Sequence, residues 1–359
     1  MPLLPCRPAR RARRDSDRFP ELRRWRGELA AAEKALADLL PATAKVVLVE
    51  PRRMRDRAND LLLGMYAQVA QDHGAHDRRF RIEHAQHLRP QDIGLPGSAA
   101  IPVRAVMADQ QAGMFGQACF TPGSTKNTFG TAGVLTGNAG SHPVIPEGLT
   151  GSVGWTVGGQ TAYEVEGVVF HSGQTMQWLR DRLGVLSPDD DIESVASRVP
   201  DTGGVYVVPA FAGMCAPHWV RDAQAAIVGL TLESSAAHVV RAGVEAMAYQ
   251  TRDNVTALVE SGTPIDELKV DGGAARSGLL CQFQADILGI PVVRPTELER
   301  TALGVAQVAG IGAGLWSMSD LSSQWQLDRV FEPTMSADRR EELHAGWQEA
   351  VRRTLAKAP

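Results

Sequence analysis

The chain has 359 residues, of which 44% are hydrophobic and 22% are charged, so it is long enough to bury the cores of two ordinary domains. No apolar run approaches the roughly 20 residues that a membrane-spanning helix needs, which argues against a membrane role. The formal net charge of -4 averages an arginine-rich start and an acidic remainder, and this balance gives no support for a nucleic-acid partner.

Residues 1–50 are rich in Pro, Arg and Ala, and arginines crowd positions 7–26. Asp15, Asp17 and Glu21 interrupt the positive charge, and no aromatic pattern is interleaved with it. These features predict a solvated, poorly ordered segment with mostly helical or irregular structure rather than a phosphate-binding arm.

The four cysteines, Cys6, Cys119, Cys215 and Cys281, lie far apart and form no CxxC pair. Such spacing argues against a disulfide framework or a zinc knuckle, and it is typical of proteins from a reducing compartment. We therefore expect a cytoplasmic protein.

Residues 51–93 carry two short motifs, DRAND at positions 56–60 and RIEHAQ at positions 81–86. This segment resembles part of the YtcJ-like metal-dependent amidohydrolases. Arg52 stands where that family places a metal-ligand histidine, and the HxH pair of the family is missing. Because a cation cannot coordinate zinc, we predict no metal site here. An amidohydrolase activity is accordingly the least favoured of the functions considered.

A Gly/Pro/Ser break at residues 94–98 predicts a domain boundary, with a second domain over residues 94–359. Beyond the break, short β-branched runs ending in glycines alternate with helical patterns, which indicates an α/β fold. The patterns predict strands at 101–107, 205–208, 268–270 and 290–293, and helices at 233–261, 279–288 and 301–315.

Three glycine-containing clusters occur at residues 126–131, 170–173 and 271–274, and the last of them follows the strand predicted at 268–270. Phosphate binding needs backbone N–H groups that side chains do not obstruct, so such turns are candidate nucleotide sites. Each cluster alone is better explained as an ordinary turn, and only their order along the chain favours a nucleotide site. No GxxxxGK[ST] or GxGxxG sequence is present, which argues against the P-loop and dinucleotide-binding folds.

Asp109 follows a predicted apolar strand and precedes Gln110 and Gln111. A carboxylate at a strand end can accept a proton from an attacking hydroxyl, as a kinase requires of its base. The same spacing suits an aspartate that caps a helix, and the sequence does not separate the two roles.

Five strings then occur in order: ADQQAGMFGQ from position 108, KNTFGT from 126, VYVVPAF from 205, AYQTRD from 248 and VDGGA from 270, followed by TALG from 301 and a terminal helix with Trp347. Together they resemble the second half of glycerol kinases, members of the FGGY carbohydrate kinases, over about residues 94–355. The resemblance implies an actin-like, ribonuclease-H-like domain that binds ATP and Mg²⁺.

The resemblance also implies roles for individual residues. Asp109 would be the catalytic base on glycerol, and Gln110 would contact glycerol. Nucleotide binding would involve the residues that match the family at the glycine clusters and the helix starts beside them, which are Thr131, Gly173, Gln177, Gly273 and Ser277. Xylulose and gluconate kinases share the fold, but the Gln110–Gln111 pair and KNTFGT favour glycerol as the acceptor.

The expected activity is ATP-dependent phosphorylation of glycerol to glycerol 3-phosphate, with ADP as the other product. The family's amino-terminal phosphate loop and glycerol-gripping residues have no counterpart before Gly94, so we expect negligible turnover by the isolated chain. Alternatives are a non-catalytic nucleotide-binding fragment of a fused or misassembled reading frame, or another FGGY sugar kinase. Without the amino-terminal half, the face that the second domain turns toward the cleft would be left exposed. We therefore expect self-association or a separate amino-terminal kinase half as partner.

Overall fold

The computed structural model describes residues 107–260 and 262–356. The arginine-rich segment, the amidohydrolase-like segment, the boundary predicted at residue 94 and nearly all of the strand predicted at 101–107 lie outside the described residues. The architecture below therefore concerns the carboxy-terminal part of the chain.

Within the described residues, seven strands form one sheet in the order β3-β4-β2-β1-β7-β8-β9. Their bounds are β1 Thr125–Phe129, β2 Gly133–Gly140, β3 Thr150–Val157, β4 Gln160–Val169, β7 Leu268–Asp271, β8 Val292–Pro295 and β9 Leu327–Phe331. A separate pair consists of β5, Tyr206–Val208, and β6, Ala226–Val228, which run antiparallel. The predicted α/β class is thereby confirmed.

The sheet is mixed rather than purely parallel. Strands β1, β7 and β8 are parallel, but β1–β2, β2–β4 and β3–β4 pair antiparallel, as does β9 with β8. Tight connections cause this difference, because hairpins such as the one at residues 130–132 reverse the chain after a few residues. The strand predicted at 290–293 lies two residues later, over Val292–Pro295.

The described helices are α1 Asp109–Gly116, α2 Gly173–Asp181, α3 Ile192–Ala196, α4 Ala236–Glu260, α5 Gly278–Leu288, α6 Arg300–Gly312, α7 Met318–Gln324 and α8 Ala337–Leu355. A short 3₁₀ turn covers Gly273–Arg276. No helix in the described ranges is long and apolar enough to cross a membrane.

Helix α4 is the central helix, and residues on most of its circumference are buried against β2, β4, β5 and α5. Its apolar residues face Phe129, Leu135 and Val165 of the sheet in one continuous core. The helix begins three residues later than its periodicity predicts. Local hydrogen bonds explain the delay, because Thr231 N–H donates to Ser234 Oγ and Ser234 N–H donates to the Thr231 carbonyl.

Helix α8 is fastened to α4 by a buried polar and aromatic cluster. The Trp347 ring stacks on Tyr249 with centroids 5.3 Å apart, and Trp347 Nε1 donates to Asp253 Oδ2 at 2.7 Å. His344 Nε2 lies 2.9 Å from Asp253 Oδ1, and His218 Nε2 lies 3.7 Å from Oδ2. Burial disfavours the charged form of Asp253, but its contacts with His218, His344 and Trp347 outweigh this effect and hold the pKa of that carboxyl below its ordinary value.

Helices α1 and α6 cross at Gly304, where their backbones are in direct contact. A Cβ atom at Gly304 would meet the Ala112 carbonyl group and lie 2.7 Å from Gly116 N. Because these neighbours are backbone atoms, only glycine allows this approach. The small residues of the helix predicted at 301–315 therefore allow close packing against α1, and the observed helix ends at Gly312.

Candidate active site

The three glycine clusters meet where strands β1, β4 and β7 end, and this end of the sheet is called the glycine edge below. Strand β1 lies between β2 and β7, with Phe129 opposite Gly133 and Thr128 opposite Asp271. Strand β4 ends beside the start of β2, because Val169 pairs with Gly133. The turn after β1, the start of α2 and the turn after β7 are therefore neighbours, although the first and last are some 140 residues apart in the chain.

Direct hydrogen bonds join two of these turns. Gly173 N–H donates to the Gly130 carbonyl at 3.0 Å, and Gln174 N–H donates to the Thr131 carbonyl at 3.3 Å. A Cβ atom at Gly173 would lie 2.7 Å from the Gly130 oxygen. The amide of Gly173 is thus engaged within the protein, and its lack of a side chain is what allows the two turns to touch.

The third turn approaches the first just as closely. Gly272 has a φ of +85°, and a Cβ atom there would lie 2.6 Å from the Phe129 carbonyl oxygen. Both features require glycine at this position. The next residue, Gly273, is exposed, and nothing lies within 4 Å of where its Cβ would stand. The three turns thus border a space that is open above Gly273.

The remaining predicted nucleotide residues lie around this edge. Thr131 is exposed at the tip of the β1–β2 turn, and Gln177 is exposed on α2 one turn beyond Gly173. Ser277 precedes α5, and its Oγ accepts from Leu280 N–H at 3.2 Å as a helix cap. Glu193 accepts from the next two amides, at 3.1 and 3.0 Å. The start of α5 is therefore already capped, and Ser277 can meet a ligand only through its side chain.

Asp109 and Gln110 occupy the first turn of α1. Gln110 N–H donates to Asp109 Oδ1 at 2.9 Å, so Asp109 has the helix-starting position that its spacing also allowed. Lys126 Nζ donates to Gln110 Oε1 at 2.6 Å and to Thr128 Oγ1 at 2.8 Å. Because Thr128 stands two residues before Gly130, Lys126 connects the Asp109 end of α1 to the glycine edge.

Lys126 is fully buried. The sequence patterns did not predict a functional role for it. Its signal is a single charged residue within a short strand, Thr125–Phe129, whose other residues are uncharged. A charged side chain that is buried in such a strand usually has an internal partner. Such a signal is visible in a sequence, but the identity of the partner is not.

Asp271 is a second buried charge that the sequence did not single out. Its Oδ2 accepts from Gln117 Nε2 at 2.8 Å, while Oδ1 has no hydrogen-bond partner among the described residues. Burial raises the pKa of this carboxyl, and the opposite charges of Lys126 and Arg300 counteract the rise. Asp271 directly precedes the Gly272–Gly273 turn, so it anchors the base of that turn.

In the described part of the chain, no three His, Cys, Asp or Glu side chains are grouped so as to hold a metal ion. Mg²⁺ commonly binds through nucleotide phosphates and water rather than through a protein cage. The residues at the glycine edge are compatible with that mode, in which the metal arrives with the nucleotide.

Comparison with known families gives a match to the carboxy-terminal domain of the FGGY family of carbohydrate kinases, over residues 125–313. The chain belongs to this family. The matched range contains all three glycine turns, and the described residues have the family's actin-like, ribonuclease-H-like α/β fold, as the sequence predicted.

Similar FGGY proteins include glycerol kinases. The chain is 48% identical over 261 residues to that of Halorhodospira halophila, and 50% identical over 258 residues to that of Aromatoleum aromaticum. These matches cover 72% and 71% of the chain, and 52% of each relative. The chain therefore spans about half the length of these relatives.

A solved structure of Plasmodium falciparum glycerol kinase with ADP is similar in three dimensions. Its TM-score is 0.68 at 30% sequence identity, and the match covers 76% of the chain and 54% of that structure. The resemblance seen in the sequence motifs is thus confirmed at the level of the family and of the fold.

Proposed function

We propose that the chain supplies the nucleotide-binding wall and the catalytic base of an ATP-dependent glycerol kinase. The observation that carries this proposal is Lys126, whose hydrogen bonds connect Gln110, beside Asp109, to the strand that leads into the glycine edge. The names of the most similar relatives, which are glycerol kinases, favour glycerol over other acceptors.

In this proposal ATP lies along the glycine edge. Thr131, Gly173 and Gly273 border the phosphates, because small side chains and a hydroxyl leave room for the anion there. Gln177 and Ser277 lie farther along the nucleotide. When bound with the phosphates, Mg²⁺ would neutralise part of their charge.

The reaction is in-line phosphoryl transfer. A terminal hydroxyl oxygen of glycerol forms a bond to the γ-phosphorus, the bond from that phosphorus to the bridging oxygen breaks, and ADP leaves. Asp109 accepts the hydroxyl proton, and Gln110, held by Lys126, contacts the acceptor. Positioning supplies most of the rate in such reactions, so a rigid first turn of α1 is central to the mechanism.

A non-catalytic nucleotide-binding role is the alternative from a different class. It would use the same glycine edge without the acceptor chemistry, and it differs only in whether product forms. A separate chain that supplies the amino-terminal kinase half would be the partner of the catalytic form, whereas the chain alone would self-associate through its exposed cleft face.

The two functions are separated by calorimetric titration with ADP and by an assay for phosphorylated product in the presence of a separate amino-terminal kinase half. The acceptors compared in that assay are glycerol, other polyols and sugars. The kinase predicts ADP binding and product, and Asp109→Asn should lower turnover about 10²-fold or more while ADP binding persists. Asp266→Asn is the matched control, because Asp266 is exposed and precedes β7 at the opposite end of the sheet.

Binding of ADP without product in this assay would support the non-catalytic role. Product from a sugar but not from glycerol would support another FGGY kinase. Absence of ADP binding would contradict both functions.

A further inference from the structure

Glu164 is a buried carboxylate beside the proposed acceptor end of the site. It lies on β4, with only 1% of its side chain exposed, and it pairs with Ser152 of the edge strand β3. Directly paired residues share a face of a sheet, and this face carries α1. No motif identified in the sequence includes Glu164 among its functional residues.

The carboxylate of Glu164 and two other side chains form a closed set of hydrogen bonds, here called the bracket. Gln111 Nε2 donates to Glu164 Oε1 at 2.5 Å and to Ser152 Oγ at 3.0 Å, and Ser152 Oγ donates to Glu164 Oε1 at 2.7 Å. The bracket of Gln111, Ser152 and Glu164 therefore ties the first turn of α1 to β3 and β4.

The second oxygen of Glu164 makes the arrangement unusual. Oε2 is buried and has no hydrogen-bond partner among the described residues. Leaving a buried carboxylate oxygen unpaired is costly, so a purely structural site would favour an apolar or fully bonded side chain. The pKa of Glu164 is raised to about 7, and burial is the largest cause. The charges of Glu166 and Asp109 contribute to this rise, whereas Ser152 and Lys126 oppose it.

We propose that Glu164 is a positioning residue that fixes Gln111 and, through it, the first turn of α1 that carries Asp109 and Gln110. The proposal rests on the proposed function for its catalytic consequence. Its structural part, that Glu164 holds Gln111, does not depend on the proposed function, because these hydrogen bonds are present whatever the chain binds. Lys126 holds Gln110 from one side and Glu164 holds Gln111 from the other, so the first turn of α1 is held at two points.

The structural part is tested by NMR on the full chain with ¹⁵Nε2-labelled glutamine, in which loss of a signal in Gln111→Leu assigns Gln111. The Gln111 amide should titrate with a midpoint near pH 7 in the wild type. That titration should vanish in Glu164→Gln. In the control Glu166→Gln it should persist with a lower midpoint, because the charge of Glu166 raises the pKa of Glu164.

A Gln111 amide that does not titrate between pH 5.5 and 8.5, or that titrates unchanged in Glu164→Gln, would overturn the proposal. In Glu164→Ala the two amide protons should move toward the shifts of a freely exposed glutamine. Unchanged shifts in that variant would equally exclude a positioning role.

The catalytic part is tested by kinetics with the same variants, in the product assay that includes the separate amino-terminal kinase half. Misplacement of the first turn of α1 should lower kcat/KM for glycerol by about tenfold to hundredfold in Glu164→Ala, with the KM for ATP unchanged. Equal losses for both substrates, or no loss, would contradict the catalytic part. If the wild-type chain neither binds ADP nor forms product, the proposed function fails, while the amide titration still decides whether Glu164 holds Gln111.

Discussion

The contact between α1 and α6 should depend on Gly304. In Gly304→Ala the new Cβ would stand 2.7 Å from Gly116 N and 2.8 Å from the Ala112 carbonyl carbon, and closer still to the carbonyl oxygen. All three are backbone atoms, which cannot rotate out of the way, so the helices must move apart. The first turn of α1, with Asp109, would move with them.

The change in the free energy of unfolding of Gly304→Ala follows from two opposing effects. Overpacking a tight interior contact costs about 1–3 kcal/mol, and contact with backbone places this substitution at the upper end. Replacing glycine by alanine inside a helix returns about 1 kcal/mol. We therefore expect a net loss of about 2 kcal/mol, which corresponds to a fall in Tm of about 4–8 °C for a domain of this size.

Gly113→Ala is the matched control, because Gly113 lies in the interior of α1 at the same helix contact. The nearest atoms to its new Cβ would be side-chain atoms, Thr301 Oγ1 at 3.2 Å and Lys126 Nζ at 3.6 Å, which can adjust. Its stability should stay within about 1 kcal/mol of the wild type. Scanning calorimetry gives the Tm, and amide exchange of α1 locates the change. An unchanged or raised Tm in Gly304→Ala would refute the backbone contact.

Three further outcomes are expected. Gly173→Ala should lower both Tm and ADP affinity, the latter about tenfold, whereas Gly273→Ala, which meets no protein atom within 4 Å, should weaken ADP binding in calorimetry without lowering Tm. Asp253→Asn should cost about 2 kcal/mol in urea unfolding at pH 7. Because the folded-state pKa of Asp253 is lowered, this difference should persist down to about pH 4 and shrink only as the pH falls through that pKa. Glu164 has a raised folded-state pKa of about 7, so the wild type loses stability as the pH rises from about 4.5 through 7. Glu164→Gln should thus gain up to about 3 kcal/mol relative to the wild type between pH 4.5 and 8, and a pH-independent difference would contradict the assignment.

Much of the fold is readable from local patterns. The helix over Gly278–Leu288 ends at Gly289 as its periodicity and its glycine predict, and Gly289 has the left-handed conformation of a helix stop. The glycine clusters and the terminal helix with Trp347 are also found where their motifs predict them. Each of these features depends on residues within a few positions of one another, so the chain encodes it locally.

The assembly of the site depends on contacts between distant parts of the chain. The glycine turns meet only because β1 pairs antiparallel with β2 and parallel with β7, and the alternation of side chains along a strand does not specify its neighbours. For the same reason Lys126 could be recognised as an unusual core residue, but its bond to Gln110 could not. The burial of Glu164 beneath Gln111 likewise follows from α1 packing on that face of the sheet, a long-range arrangement that no local pattern carries.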